Sequence, residues 1–259
     1  MLRKIIDIGK YTVIANLRNR LFLVLILFGL LVLGSSALLS ILGQEQQIRI
    51  LMDLGLASIE VLTLFTVTFL MVQLILEEIE SKTIYLILTR AVPKPIYLIG
   101  RLAGTLTSVY LAAIIMLAIH STLLFIKGWK VADGMNLYYL SFFMSMEKIF
   151  LISALALFFS LFSSSGVVSW IFTFFFWVLG HFAMEFKYLI EQIKNPISAT
   201  VFKAIYLIIP HFQYLNARDL WISVGDRLPS FIVQGSLYTL VYGFLAFSLA
   251  LYLFKKKEF

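Results

Sequence analysis

The chain has 259 residues, 61% of them hydrophobic, and a formal net charge of +7. A soluble domain is nearer to about 45–50% apolar, so the length is spent on membrane spans rather than on a soluble core. There is no cysteine, which excludes disulfides and thiol catalysis, and the charges sit in loops and ends, where they read as orientation and anionic-lipid signals and not as a nucleic-acid site.

A spanning helix needs about 20 predominantly apolar residues. Hydrocarbon accepts only helices or closed barrels, and barrel strands would alternate in polarity. The apolar runs here are long and unbroken, so the expected fold class is all-α integral membrane, a single transmembrane domain over 1–259. Residues 1–20 come first. At about 100° per residue, Leu2, Ile5, Ile6, Ile8, Thr12, Val13 and Leu17 fall on one half of a helix, and Arg3, Lys4, Asp7, Lys10 and Arg18 on the other. This predicts an amphipathic helix in the membrane interface; the alternative is a plain charged anchor. Six spans follow at about 21–41, 54–76, 102–126, 138–162, 167–185 and 231–254. The stretch 197–215 is apolar, but it carries Lys203 and His211, and Pro210 breaks it. It reads as short outer helices dipping into the surface, within an outer loop 186–230.

Of the 21 Lys and Arg residues, twelve lie in the N-terminal segment, the 77–101 loop and the tail. That bias predicts both termini and the 77–101 loop in the cytoplasm of a multi-pass protein of the inner (plasma) membrane.

Chemistry is sparse. No G-x-x-x-x-G-K-[ST], H-E-x-x-H or G-x-S-x-G motif occurs. His181 and Glu185 are spaced to share a helix face, yet two ligands are too few for a metal. Glu60 and His120 lie within spans two and three, where ionisable groups are costly and mark candidate substrate paths. Glu60 is also only about two turns from the outer end of its span, where it can simply be wet. "GRLAG", 100–104, and "GSSA", 34–37, have spacing that permits close helix packing.

The segment "EEIESKTIYLILTRAVPKPIYLIGR", 77–101, interrupts the apolar pattern. A compact apolar piece, 83–89, is bracketed by Lys82 and Arg90, and Pro93 and Pro95 follow as helix stops. It reads equally as a docking helix for a soluble partner or as an ordinary interfacial loop. The segment resembles the signature of ABC-2 type permeases, the membrane subunits of one class of ATP-binding-cassette transporters. It is most similar to the branch that contains the permease of the nitrous-oxide-reductase maturation system. The matching positions are Glu77, Glu78, Thr83, Ile84, Tyr85, Leu86, Leu88, Arg90, Val92, Tyr97, Leu98 and Gly100, with Lys94 and Arg101 keeping the basic positions. Ala91 and Pro93 depart from the pattern, the proline having moved two positions. "IIPHFQYLNARD", 208–219, resembles the stretch that precedes the last span in that family.

The resemblance implies a cytoplasmic coupling helix between spans two and three, seated in a cleft of a separate nucleotide-binding ATPase subunit. Two permease copies and two ATPase copies would assemble. ATP and magnesium would bind the partner, leaving this chain without a cofactor and without catalysis of its own. Glu77 and Glu78 would stand at the base of the helix, with Lys82, Thr83, Arg90, Lys94 and Arg101 as polar coupling positions and Leu86 as the apolar knob. An extracytoplasmic protein would meet the 186–230 loop if the subunit passes force without moving cargo. An intramembrane lipid-modifying enzyme and a secondary transporter are the other classes, but the first needs ionisable groups clustered at one depth and the second repeats or broken helices in matching places.

Overall fold

In a computed structural model, residues 1–39, 41, 46–84, 92–130, 134–218 and 228–257 are described. They form an all-helical bundle: α1 Leu2–Arg18, α2 Arg20–Leu39, α3 Gln47–Glu80, α4 Lys94–Ile126, α5 Met135–Phe162, α6 Gly166–His181, α7 Ala183–Gln192, α8 Pro196–Ile208, a 3₁₀ turn Phe212–Leu215, and α9 Leu228–Lys256. Four helices, α3, α4, α5 and α9, are long and apolar enough to cross a membrane, and up to six elements are if each bent pair counts as one. The bent pairs are α1 with α2 (64°) and α6 with α7 (65°). Several helices apolar enough to span are what a membrane-embedded protein requires.

α3 is the central post, packed on α2, α4, α5 and α6, while α5 joins it to α9. Its 34 residues extend about 51 Å at 1.5 Å per residue, well beyond a hydrocarbon core of about 30 Å. Its floor of buried side chains includes Ile59, Val67, Met71 and Ile75. Hydroxyls along the bundle bond carbonyls one turn back, as Thr63 does to Ile59 (2.7 Å) and Thr66 to Leu62 (2.7 Å), which satisfies them without water.

The 77–101 loop is shorter than the charges suggest. Glu77–Glu80 close the last turn of α3, and Lys94–Arg101 form the first two turns of α4. The reason lies in the prolines. Pro93 is the N-cap and Pro95 sits in the first turn, where the missing N–H had no intrahelical acceptor. They open a helix here, where the sequence reading used them only to stop one. Most of the expected coupling helix, including Leu86 and Arg90, lies outside the described residues.

The fifth run also departs from a straight 167–185 span. α6 ends at His181 and the chain turns at Phe182, so α6 covers only about 24 Å. Gly180 lets the 210–212 segment pack against the end of α6: a Cβ there would lie 2.6 Å from the Phe212 ring and 2.9 Å from the Pro210 carbonyl. Glu185 consequently sits on α7, past the bend, and the His181–Glu185 pairing along one helix face is not formed. The 197–215 stretch is a helix, a break at Ile209–His211, and a 3₁₀ turn. Asn195 caps α8 by accepting from the Ile197 N–H at 2.9 Å, with Pro196 behind it.

α1 has three faces where two were expected. Ile5, Ile8, Thr12 and Asn16 turn toward α4, and Thr12 and Asn16 are fully covered. Leu2, Ile6 and Leu17 stay exposed beside that face, and the charged residues complete the circle. "GRLAG" is the seat: a Cβ at Gly104 would lie 2.6 Å from the Gly9 carbonyl and from Thr12 Cβ, and one at Gly100 would lie 2.8 Å from Ile8. Among the described residues Gly34 of "GSSA" has nothing within 4 Å.

Candidate functional sites along the third helix

Both chain ends and the turn after α3 gather at one end of the bundle, here called the lower end. Glu78, near the foot of α3, accepts from the Arg101 guanidinium and from the Tyr97 hydroxyl. Arg101 also donates through Nη1 to Thr12 Oγ1 at 2.9 Å, and lies 5.3 Å from the Tyr11 ring centre. Arg101 is 1% exposed. A buried guanidinium needs a counter-charge and hydrogen bonds, and α1, α3 and α4 each supply part of the cage. Arg101 is therefore an internal clamp between α1, α3 and α4, its guanidinium committed to Glu78 and Thr12.

Lys94 is also committed. Its ammonium reaches the carbonyls of Phe254, Lys255 and Lys257 at 3.3, 3.3 and 3.4 Å, so it caps the C-terminal end of α9, where the helix dipole is negative. Lys257 does the same for α5 through the Leu161 carbonyl (3.2 Å), and burial pushes its ammonium below the usual lysine value. The positions that do face outward are Glu77, Glu80, Lys82 and Thr83. Glu77 accepts from the Gln73 amide, whose oxygen accepts in turn from Asn19 at 3.3 Å. Lys82 has a φ of +57°, a region seldom used outside glycine. Beside this turn a cleft of about 950 Å³ opens between α1, α3 and α4, with Asp7, Glu77 and Glu80 on its rim. Among the described residues its acids outnumber its one basic residue, Arg101, so the cleft suits cationic side chains.

Glu60, halfway up α3, is a junction. Oε1 receives Lys148 Nζ at 3.0 Å and lies 3.5 Å from His181 Nε2. Oε2 receives Ser145 Oγ at 2.9 Å and Arg218 Nη2 at 2.7 Å. Both oxygens are fully used, and the residue is 4% exposed. Glu60 is thus enclosed, and the reading of it as wet does not hold, because α5, α6 and the segment before α9 all close over it. The arrangement can hold four parts together; it leaves no lone pair to offer a passing ion. His120 is enclosed as well: it is 1% exposed, Nδ1 meets the Tyr138 hydroxyl at 2.7 Å, and its ring lies where a Cβ of Gly55 would be. Among the described residues no group of three His, Asp or Glu side chains could hold a metal.

The sequence reading missed Lys148, Ser145 and Arg218 as partners of Glu60, and gave His181 to Glu185. A signal existed. A lysine inside an apolar run demands a counter-ion, and outside its own span the acids placed within spans were Glu60 and, at the very end of the fifth, Glu185. Thr12 and Asn16 were missed because a polar residue on the apolar half of a helix reads as tolerated, not as a contact. Neither the family models nor the curated proteins contain a match to this chain.

Proposed function

We propose that the chain is the permease subunit of an ATP-binding-cassette transporter of the ABC-2 type. It would work as a pair with a second copy, with six spans and both termini in the cytoplasm. ATP would be hydrolysed on a separate subunit docked at the lower end, driving export or the transmission of force. The observation that carries this reading is the acid-rimmed cleft between α1, α3 and α4, beside the exposed Lys82–Thr83 turn. It is a rigid, charged seat with three helices clamped behind it by Arg101 and Glu78. Rigid-body motion imposed there would be passed on by the helices without loss in a flexible linker.

Force transmission to an extracytoplasmic protein, without cargo, is the second reading. Glu60 favours it: the post that ends at the clamp is tied, about 27 Å further up at 1.5 Å per residue, to Arg218 of the segment before α9. A push on the lower end would reach that segment through one helix.

The test is co-purification of the tagged full chain from its own membranes. An ATPase activity should come with it in stoichiometric amount, and Asp7→Lys combined with Lys82→Glu should reduce it at least about tenfold. Absence of ATPase from the complex, or a complex indifferent to both reversals, would overturn the reading.

A further inference from the structure

We propose that the groove between α2, α3 and α6 is a lipid site selective for an ammonium headgroup, each chain retaining one aminophospholipid there. The proposal rests on membrane embedding, and its test needs no ATPase partner, although Glu77 and Glu80 also rim the cleft against α1 and α4. The groove holds about 530 Å³. Its apolar lining comes from Leu25 of α2, Phe65, Phe69, Val72 and Leu76 of α3, and Val167 and Trp170 of α6, with the Phe65 and Trp170 rings stacked at 5.8 Å. The start of α6 sits close to α3, since a Cβ on Gly166 would be 3.3 Å from Leu76. An exposed, nearly all-apolar trough on a membrane helix bundle accepts an acyl chain; a whole helix, about 10 Å across, would not fit inside it.

The polar residues of the lining fix the headgroup. They are Gln73, Glu77 and Glu80, spaced to share one face of α3 at its lower end. Among the described residues the lining contains no Lys, Arg or His. Gln73 already bridges Asn19 and one Glu77 oxygen, and both Glu77 and Glu80 are exposed. A headgroup whose outermost group is a primary ammonium can donate to both carboxylates. A lipid ending in hydroxyls can also donate, but it brings no cation and its net negative charge is repelled by the two carboxylates. The same charges argue against a second copy of this face in the groove, because a two-fold contact would bring Glu77 and Glu80 together with their equivalents.

The experiment is native mass spectrometry of the full chain, released from micelles containing equal amounts of phosphatidylethanolamine, phosphatidylcholine and phosphatidylglycerol. One lipid per chain should survive, with phosphatidylethanolamine favoured over phosphatidylglycerol by about tenfold. Glu77→Gln with Glu80→Gln should bring the three lipids to near parity while a lipid is still retained. Val167→Trp, at a position 68% exposed and so harmless to the core, should release all three. Circular dichroism melts of both variants should match the parent. Equal retention of the three lipids by the parent would overturn the proposal. So would a headgroup preference that survives the double glutamine change, or quantitative disulfide dimers of a Val167→Cys chain with no lipid bound.

Discussion

Glu60 binds two permanent cations and an imidazole with two oxygens, and each partner comes from a different part of the chain. Changing Glu60 to Gln keeps the shape and removes the charge. Lys148, with its side chain 5% exposed, is then left buried without a counter-ion, a loss of about 3–5 kcal/mol by analogy with broken buried pairs. Arg218, at 23%, can swing toward water and adds less. The expected result is a lower melting temperature of the purified protein in detergent, with most of the loss recovered in Glu60→Gln with Lys148→Met, since the methionine removes the stranded ammonium. A Glu60→Gln protein as stable as the parent would show that the junction bears no load. The single residues of this site were half legible in the sequence. The cost of an acid and a lysine inside apolar runs could be read directly. Their pairing could not, because 88 residues separate them and nothing local fixes which helices meet.

At the scale of elements, the seat of α1 on α4 is the most constrained contact in the lower half. Gly9, Gly100 and Gly104 bring two backbones close enough for Thr12 to reach Arg101, and Asn16 to reach Ser108 at 3.3 Å. Gly104→Leu puts side-chain atoms into space already held by the Gly9 carbonyl and Thr12. Overpacking of this kind costs about 1–3 kcal/mol. The amides of α1 should therefore exchange with deuterium about tenfold faster or more in the variant, and those in the middle of α5 should not change. The existence of α1, its amphipathic character and the close-packing glycines were all visible in the sequence. The glycines' partner was not: small-xxx-small spacing says that something approaches, and only the fold says what. Element ends were the weakest part of the sequence reading. Hydropathy placed the start of the third span at residue 102, whereas the helix begins at Lys94, because a helix continues past the lipid wherever its backbone bonds continue.

At the scale of the whole molecule, the bundle has a lower end closed by cross-capping, with Lys94 on α9 and Lys257 on α5, and a middle pinned at Glu60. The absence of cysteine makes its orientation directly measurable. Single cysteines at Lys4 and Lys256 should react with a membrane-impermeant maleimide only after the membrane is opened, and one at Glu191 on α7 should react from outside in intact cells. The reverse pattern would invert the proposed topology and remove the cytoplasmic seat for an ATPase.

The long sequence separations also set an order of assembly. Glu60 waits 88 residues for its lysine and 158 for its arginine. At about 5–20 residues per second of synthesis, the wait is roughly 4–18 s for the first and 8–32 s for the second. Lys148, His181 and Arg218, the basic partners that the described residues give Glu60, all follow it in the chain. A polypeptide released early, before Lys148 is made, has no cation to hold that carboxylate, whose burial alone is costly enough that the acid takes up a proton instead, and an incomplete product differs from a finished one at that group.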